Sequence, residues 1–136
     1  MFEIIQLDEK FVVNIFGLKI PIKRNINKIS DCCCIGDVDF YIKHNTKFPN
    51  PIGIVLPRKM EIGENCTIYQ NVTIGYKDKG CPSIGNNVKI YPNAVVFGDI
   101  TIGDNVIIEA GSVVTKSVPS NCTVMGNPAK IIEQEQ

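Results

Sequence analysis

Aliphatic residues return every six positions over most of the chain. The series starts at Leu56 and, after a ten-residue interval between Ile74 and Ile84, continues to Val114. These ladder positions are Leu56, Ile62, Ile68, Ile74, Ile84, Ile90, Val96, Ile102, Ile108 and Val114. A period of six fits neither the 3.6 residues per turn of an α-helix nor the alternation of a plain strand, whereas it is typical of a parallel β-helix.

A second small or apolar residue stands four positions after most ladder positions. This second set comprises Met60, Cys66, Val72, Val88, Ala94, Ile100, Val106, Ser112 and Val118. Between the two sets, Gly, Asn and Asp are frequent, and these residues tolerate positive φ and turn the chain. Each hexad therefore predicts a short strand and a corner. Three hexads would form a triangular coil, stacked on the next coil at about 4.8 Å.

The six-residue pattern is less regular at its N-terminal end. Extended backward, it places Phe48 and Ile54 in the second set, and His44 and Asn50 at ladder positions. Polar residues at otherwise aliphatic positions indicate either a functional site or fraying of the first coil. The four extra residues before Ile84 predict a projecting loop at 76–83, and loops on a rigid scaffold often carry binding residues.

The residues before position 38 lack the six-residue period. Alternating apolar residues there predict a hairpin or a pair of edge strands; they are Leu18, Ile20 and Ile22. Such a segment would cover the open end of the solenoid, because an uncapped coil exposes unpaired backbone. We therefore divide the chain into a capping segment 1–37, a repeat region 38–118 and a C-terminal cap 119–136.

The composition supports an all-β globular domain and excludes several functions. The chain has 136 residues, of which 44% are hydrophobic and 21% charged. Its 14 basic residues balance its 14 acidic ones, which argues against nucleic-acid binding, because that needs a basic surface. The absence of a long apolar run and of a basic leader predicts a soluble, cytoplasmic protein without a transmembrane segment.

Six cysteines are present without any CxxC pair. They are Cys32, Cys33, Cys34, Cys66, Cys81 and Cys122. Consecutive cysteines rarely bridge each other, and the spacing matches no zinc template. We therefore expect six reduced thiols and no metal. Cys66 belongs to the second set and is expected to pack in the core, whereas the sequence supports no role for the triple cysteine.

Two stretches carry a family resemblance. Residues 50–75, NPIGIVLPRKMEIGENCTIYQNVTIG, and residues 107–132, which contain AGSVV and GNPAKI, resemble the hexapeptide-repeat acyltransferases. Within that family they resemble the branch of serine acetyltransferases and polysaccharide O-acetyltransferases. The resemblance covers about residues 44–132. It implies a left-handed parallel β-helix, a homotrimer, and acetyl-CoA bound in the groove between neighbouring subunits. It also implies a His that acts as general base on a hydroxyl, with backbone N–H groups that stabilise the oxyanion.

The chain departs from the family pattern where the base should be. Asn50 stands at the position of the catalytic His, and Pro49 at that of the acid before it. A carboxamide cannot take a proton, and general acid–base catalysis is worth about 10² to 10⁴-fold. Cys81 stands where serine acetyltransferases carry a second His, and it could contact substrate or act as a thiolate.

His44 is the only histidine of the chain and its one conventional base. One hexad before Asn50, it should lie on a different face of the same coil, so only a neighbouring subunit could bring it close to Asn50. Its alternatives are a surface or capping role and substrate binding.

The resemblance also indicates residues near the acyl donor. Lys116 and Lys130 match basic positions close to the phosphates of coenzyme A, with ordinary solvated lysines as the alternative. Four small residues match positions beside the pantetheine arm, with corner and core packing as the alternative. They are Gly75, Ala94, Ala110 and Pro128.

The sequence thus predicts an acetyl-CoA-dependent O-acetyltransferase. We expect a sugar hydroxyl of a surface polysaccharide as acceptor, because the 37 residues before the repeat cannot supply the helical domain of serine acetyltransferases. Free serine is the alternative acceptor, and a non-catalytic acyl-CoA-binding protein is the alternative class, suggested by Asn50. A zinc-dependent carbonic anhydrase of the same fold would need three His ligands, and the chain has one.

Overall fold

The computed structural model describes residues 3–7, 10–15, 18–22, 34–58, 60–78 and 80–134, with only the backbone described for residues 3–22 and for residue 34. Three N-terminal strands, β1 (Glu3–Leu7), β2 (Lys10–Ile15) and β3 (Leu18–Ile22), form an antiparallel sheet with β2 in the middle. This confirms the predicted hairpin, in which Ile20 pairs with Val13. Its capping role stays a prediction. Cys32 and Cys33 lie outside the described residues.

The remaining strands form a left-handed parallel β-helix with three sheets. Sheet I contains β4 (Cys34–Ile35), β5 (Val55–Leu56), β7 (Thr73–Gly75), β10 (Val95–Phe97) and β13 (Val113–Val114). Sheet II contains β8 (Ser83–Ile84) and β11 (Thr101–Ile102). Sheet III contains β6 (Thr67–Ile68), β9 (Lys89–Ile90), β12 (Ile107–Ile108), β14 (Cys122–Gly126) and an antiparallel edge strand, β15 (Ala129–Gln134). Helix α1 (Val38–Lys43) follows β4.

The ladder positions form the core, as the period predicts. All ten are buried, and in sheet III Ile68 pairs with Ile90, which pairs with Ile108. Each ladder residue therefore stacks on its equivalent in the next coil. The second set is buried as well, and Cys66 is fully enclosed as expected. Burying these aliphatic side chains in continuous stacks supplies the main stabilising term of a solenoid.

The corners between sheets II and III repeat one backbone conformation. Asn87, Asn105 and Asn121 all have positive φ, which Asn tolerates better than most residues. Their side chains form a hydrogen-bonded ladder: Asn87 Nδ2 donates to Asn105 Oδ1 at 3.0 Å, and Asn105 Nδ2 donates to Asn121 Oδ1 at 2.8 Å. At Gly85 a Cβ would lie 2.8 Å from the carbonyl carbon of Gly103, so the coils approach closely there. The Gly and Asn residues of the repeat thus fix the corners.

The frame expected for the first coil is wrong by two residues. Lys47 pairs with Thr67, twenty positions later, whereas Val55 pairs with Thr73, eighteen positions later. Phe48 therefore lies beside Ile68 in the ladder, not in the second set. His44 and Asn50 do not occupy ladder positions; they lie at corners, half-buried and exposed respectively. The physical reason is that an unpaired polar group in the core is costly, so the chain inserts two residues instead.

A related shift occurs at the other end of the repeat. Val118 forms a bridge with Ile102, which puts it in the ladder of sheet II instead of the second set. The last coil is therefore shorter by two residues than the six-residue frame predicts. Val118 remains buried, because either position faces the interior.

Helix α1 lies within the range that the sequence assigns to the repeat. Asp37 caps it by accepting a hydrogen bond from the N–H of Phe40 at 3.1 Å. Its residue Tyr41 is fully buried, and the phenol donates to the carbonyl oxygen of Pro57 at 2.8 Å. The Tyr41 ring packs edge-on against Phe48, whose centroid is 6.2 Å away. A helix with one large buried aromatic thus lies between β4 of sheet I and the coil that begins near Lys47.

Candidate functional site

The corner between sheets III and I aligns several of the predicted site residues along the solenoid axis. The N–H of Asn93 donates to the carbonyl of Gln70 at 3.1 Å, and the N–H of Gly111 donates to that of Pro92 at 2.9 Å. These bonds place Gln70, Pro92 and Ala110 in consecutive coils. We call this line, from residues 50–52 through Gln70, Pro92 and Ala110 to Gly126, the corner ridge. It spans four coil steps, or about 19 Å.

Asn50 stands at the N-terminal end of the corner ridge. The two inserted residues form a bulge here, in which the N–H of Ile52 donates to the carbonyl of Asn50 at 2.8 Å around Pro51. Such a three-residue turn reverses the backbone locally. One coil further, the N–H of Asn71 donates to the carbonyl of Ile52 at 2.8 Å, which fixes the bulge above Gln70. Asn50 is thereby held at the surface.

Ala110, Pro128 and Lys130 come together at the other end of the corner ridge. Val124 pairs with Ile108, so Gly126 lies beside Ala110, and the chain then turns through Pro128 into β15. Lys130 pairs with Met125. Ala110, Pro128 and Lys130 are all exposed to solvent. A cationic side chain therefore stands near the C-terminal end of the ridge.

The corner ridge has room for a thin, extended ligand. Its residues near the C-terminal end are small, and a Cβ built on Gly111 would meet no atom of the described residues within 4 Å. The pantetheine arm of coenzyme A is a narrow chain of amides and methylenes that joins a thiol to the phosphates of the nucleotide. The open surface at Gly111 is compatible with such a chain.

Ala94 occupies the core and not the ridge. Its side chain is fully buried. Its carbonyl accepts the N–H of Thr73 at 3.0 Å, and its N–H donates to Tyr91 at 3.4 Å. Both backbone groups are thus engaged within the solenoid. The structure supports the packing alternative for this residue and leaves no polar group of Ala94 for a ligand.

Gly75, Lys116 and Cys81 lie at or beyond the C-terminal ends of the sheet I strands, on the order of 13 Å along the strands from the corner ridge. Gly75 pairs with Phe97, and a Cβ built on it would lie 3.4 Å from the Phe97 ring. Lys116 is exposed just after β13. Within one subunit the predicted site residues therefore form two separate groups.

The loop at 76–83 is a small hairpin on a packed base. The N–H of Lys77 donates to the carbonyl of Gly80 at 3.0 Å, and Gly80 returns a bond of 2.9 Å. Cys81 is half-buried against the core, and this burial raises the pKa of its thiol. The thiol is therefore protonated at neutral pH, which argues against a thiolate role.

An open groove runs along the outer side of sheet II, and we call it the sheet II groove. Its lining residues are Met60, Glu61, Cys81, Pro82, Ser83, Asp99, Ile100 and Thr101. Ser83 Oγ donates to Glu61 Oε2 at 3.3 Å. Neither Asn50 nor His44 lines this groove, and its two carboxylates would repel phosphates. It is therefore a poor candidate for the acyl donor.

His44 ends helix α1 and is held there by the helix. Its Nδ1 lies 2.8 Å from the carbonyl oxygen of Phe40, so this nitrogen donates, and its ring lies 4.4 Å from that of Phe40. The carbonyl of His44 accepts the N–H of Asn65 at 3.0 Å, which places the residue at the corner between sheets II and III. Asn50 lies at the next corner. The structure thus supports the capping role of His44.

Two tyrosines on the corner ridge are absent from the sequence prediction. Tyr69 and Tyr91 stack with ring centroids 5.1 Å apart and planes 18° apart. They are 22 residues apart in sequence because the loop at 76–83 lengthens that coil. Aligning the chain coil by coil, with the loop removed, would have placed them together.

Among the described residues, no group of three or more His, Cys, Asp or Glu is arranged to hold a metal ion. In the same part of the chain no helix is long and apolar enough to cross a bilayer. Cys66, Cys81 and Cys122 are free thiols.

The stacked coils form a hexapeptide-repeat solenoid. Residues 81–116 match the family described as bacterial transferase hexapeptide, with six repeats. The repeat region of the chain is similar to the hexapeptide-repeat acyltransferases.

Three relatives illustrate the similarity. The serine acetyltransferase of Staphylococcus xylosus is 48% identical over 88 residues, which cover 62% of this chain and 41% of that protein. A serine acetyltransferase of Brucella abortus strain S19, solved in complex with coenzyme A, matches with a TM-score of 0.63 and 32% identity, over 77% of this chain and 41% of the other. A maltose O-acetyltransferase of Clostridium difficile 630 matches with a TM-score of 0.60 and 31% identity, over 68% of this chain and 57% of the other. The chain spans 35 to 41% of the length of the first two curated relatives.

Proposed function

We propose that the protein is an acetyl-CoA-dependent O-acetyltransferase that acts in the cytoplasm on a sugar hydroxyl in surface polysaccharide synthesis. The observation that carries this proposal is the corner ridge. It is an open line of about 19 Å with Asn50 at one end and Pro128 and Lys130 at the other. The similar structures include a serine acetyltransferase in complex with coenzyme A, which supports the donor, and a maltose O-acetyltransferase, which supports the acceptor class.

In the proposed reaction, acetyl transfer takes place at the Asn50 end of the corner ridge. The hydroxyl oxygen of the acceptor attacks the thioester carbonyl carbon, the C–S bond breaks, and the thiolate of coenzyme A leaves and takes up a proton. The hydroxyl proton must pass to a base as the new C–O bond forms. Asn50 stands at that point and can hold a hydrogen bond, but its amide takes no proton. The natural chain therefore orients both substrates and performs proton removal poorly.

Asn50 also favours a second candidate function, which is binding of acyl-CoA without turnover. An acceptor screen with acetyl-CoA that follows thiol release separates the candidates, if it is run on the natural protein and on Asn50→His. Thiol release with a sugar supports the proposal, and release with serine identifies the alternative acceptor. If both proteins bind acetyl-CoA but release no thiol with any acceptor, the second candidate function, binding without turnover, would be established.

A homotrimer would join the two groups of site residues. The corner ridge and the group of Gly75, Cys81 and Lys116 lie at opposite ends of the sheet I strands. Ile52 on the ridge is 60% exposed and Val55 on sheet I is 40% exposed. Apolar side chains exposed next to a candidate site are typical of an interface. We expect light scattering to give three times the chain mass of 15.0 kDa. A monomer at micromolar concentration would contradict the trimer.

Replacing Lys116 or Lys130 by Ala should weaken acetyl-CoA binding by about two- to fivefold each, because each loses a partly solvated contact with phosphate. The loss should shrink at high salt, which screens exposed charges. Calorimetry measures both effects, with Lys43→Ala on the surface of α1 as the control. Equal affinities for all three variants would show that Lys116 and Lys130 are ordinary surface lysines.

A further inference from the structure

The stacked tyrosines of the corner ridge lie directly next to the coil of Asn50. The N–H of Tyr69 donates to the carbonyl of Ile90 and that of Tyr91 donates to the carbonyl of Ile108, so the two residues hold equivalent places in consecutive coils. Their centroid separation of 5.1 Å is close to the rise of about 4.8 Å between coils. The stack therefore runs along the axis. Tyr91 covers one face of Tyr69, and on the other side the pairing of Lys47 with Thr67 places Pro49, the neighbour of Asn50, beside Tyr69.

Gln70 adds an unsatisfied carboxamide beside this ring. Its Oε1 is enclosed and has no hydrogen-bond partner among the described residues. Buried polar atoms almost always have a partner, so an exception near a candidate site needs an explanation. The last torsion of a Gln side chain is broad, and its rotation can turn either the oxygen or the NH2 group towards a ligand. Gln70 lies one coil below the bulge that carries Asn50.

The segments that carry Asn50 and Gln70 contain no charged residue, while Glu109 and Lys47 lie further along the same faces. Residues 49–52 read PNPI, and the residues below them, 69–71, read YQN. A free amino acid brings an ammonium and a carboxylate, each of which needs a charged or strongly polar partner when it loses water. A neutral polyol needs only hydrogen bonds, which Asn50 and Gln70 can form as both donors and acceptors. The local composition therefore favours a neutral acceptor over serine.

We propose that Tyr69, supported by Tyr91, is the acceptor-binding surface and that it recognises the C–H face of a pyranose, while Asn50 and Gln70 bind the hydroxyls of that sugar. The negative face of the aromatic ring attracts the positively polarised C–H groups of the sugar. The inference rests on the proposed function for the role of Asn50, and it adds the residues that select the acceptor.

Equilibrium binding to the natural protein tests this site without turnover. The probes are maltose, methyl glucoside and serine. The chain has no Trp and only four Tyr, so tyrosine fluorescence reports on few residues. We expect maltose or methyl glucoside to bind and serine not to bind. Tyr69→Phe keeps the ring face and should keep the sugar affinity, whereas Tyr69→Ala should weaken it about tenfold or more. The affinity for acetyl-CoA should be equal in all three proteins.

Several results would overturn the proposal. One is sugar affinity that is unchanged in Tyr69→Ala; another is serine binding in preference to sugar. A third is that Tyr69→Ala lowers the affinity for acetyl-CoA alone, which would place the tyrosines on the donor side. The outcome is separable from that of the proposed function. If the protein binds sugar but Asn50→His transfers no acetyl group, the proposed enzyme function is wrong and the sugar site is retained. If acetyl is transferred to a sugar and the acceptor KM is unchanged in Tyr69→Ala, the enzyme function is retained and the sugar site is wrong.

Discussion

Asn50→His is expected to raise the rate of acetyl transfer by about 10²-fold or more, with little change in the KM for acetyl-CoA. The reason is geometric as well as chemical. Asn50 is exposed on a bulge whose backbone is fixed by the hydrogen bonds of Ile52 and Asn71, so a larger ring can stand there without disturbing the core. An imidazole at that point supplies the lone pair that the carboxamide lacks, and a base acts on the transition state more than on bound substrate.

The rate advantage of Asn50→His should decrease as the pH falls. Imidazole accepts a proton only when neutral, and its ordinary pKa is about 6.5. The advantage of Asn50→His over the natural protein should therefore be full above that pKa and should fade as the pH falls below it. Initial rates of thiol release between about pH 5.5 and 8.5 measure this profile, because the natural protein carries no titrating group at position 50.

His44→Ala is the matched control for this substitution. His44 is the only histidine of the natural chain, but it caps α1 through Phe40 at a different corner from Asn50. We expect His44→Ala to leave the activity of Asn50→His unchanged within a few-fold. If instead His44→Ala abolished the activity of the natural protein, and Asn50→His were no faster than the parent, the base would be His44 of a neighbouring subunit and the assignment of position 50 would be wrong.

Ile90→Ala is expected to lower the free energy of unfolding by about 2–5 kcal/mol. Ile90 is fully buried and pairs in register with Ile68 on one side and Ile108 on the other, so its removal opens a cavity between two coils. Because each coil contacts only its neighbours, one defect in the middle of the stack weakens the contacts on both sides. The site on the corner ridge should lose order along with the core.

Denaturant titration at a fixed protein concentration measures this change. Ile90→Val is the control, because it keeps the β-branch and removes a single methyl group, and it should cost about 0.5–1.5 kcal/mol. The concentration must be the same for all variants, since assembly adds to apparent stability. A cost for Ile90→Ala as small as that of Ile90→Val would mean that the ladder is not the main source of stability.

The six-residue period was sufficient to predict the core. All ten ladder positions are buried because each strand of a coil turns its ladder side chain into the interior, where the side chain must be apolar. The same period misplaced the ends. At Phe48 the coil is two residues longer than the repeat and at Val118 it is two residues shorter, and a strict six-residue count cannot register an insertion or a deletion that still ends on an apolar residue.

Helix α1 shows a different limit of prediction from the sequence. Its six residues, VDFYIK, are too few for a helical period to stand out, and the helix depends on the Asp37 cap and on the burial of Tyr41. Burial, with smaller effects of Cys81, Tyr76 and Asp37, raises the pKa of Tyr41 well above its ordinary value. Such packing depends on residues of several coils, and no local pattern encodes it.

The candidate site was predicted residue by residue but not as a surface. The resemblance indicated Asn50, Ala110, Pro128 and Lys130, which the structure aligns on the corner ridge. It also indicated Ala94, which is in the core. Tyr69 and Gln70 were missed because neither breaks the six-residue pattern, and their relation to Asn50 appears only when the coils are stacked.

The structure of the protein with coenzyme A bound is the measurement that tests the central claim most directly. We predict that the pantetheine arm follows the corner ridge past Ala110, with the thiol at Asn50 and the phosphates at Pro128 and Lys130. Coenzyme A bound in the sheet II groove beside Cys81 and Asp99, or bound with its thiol away from Asn50, would contradict the account.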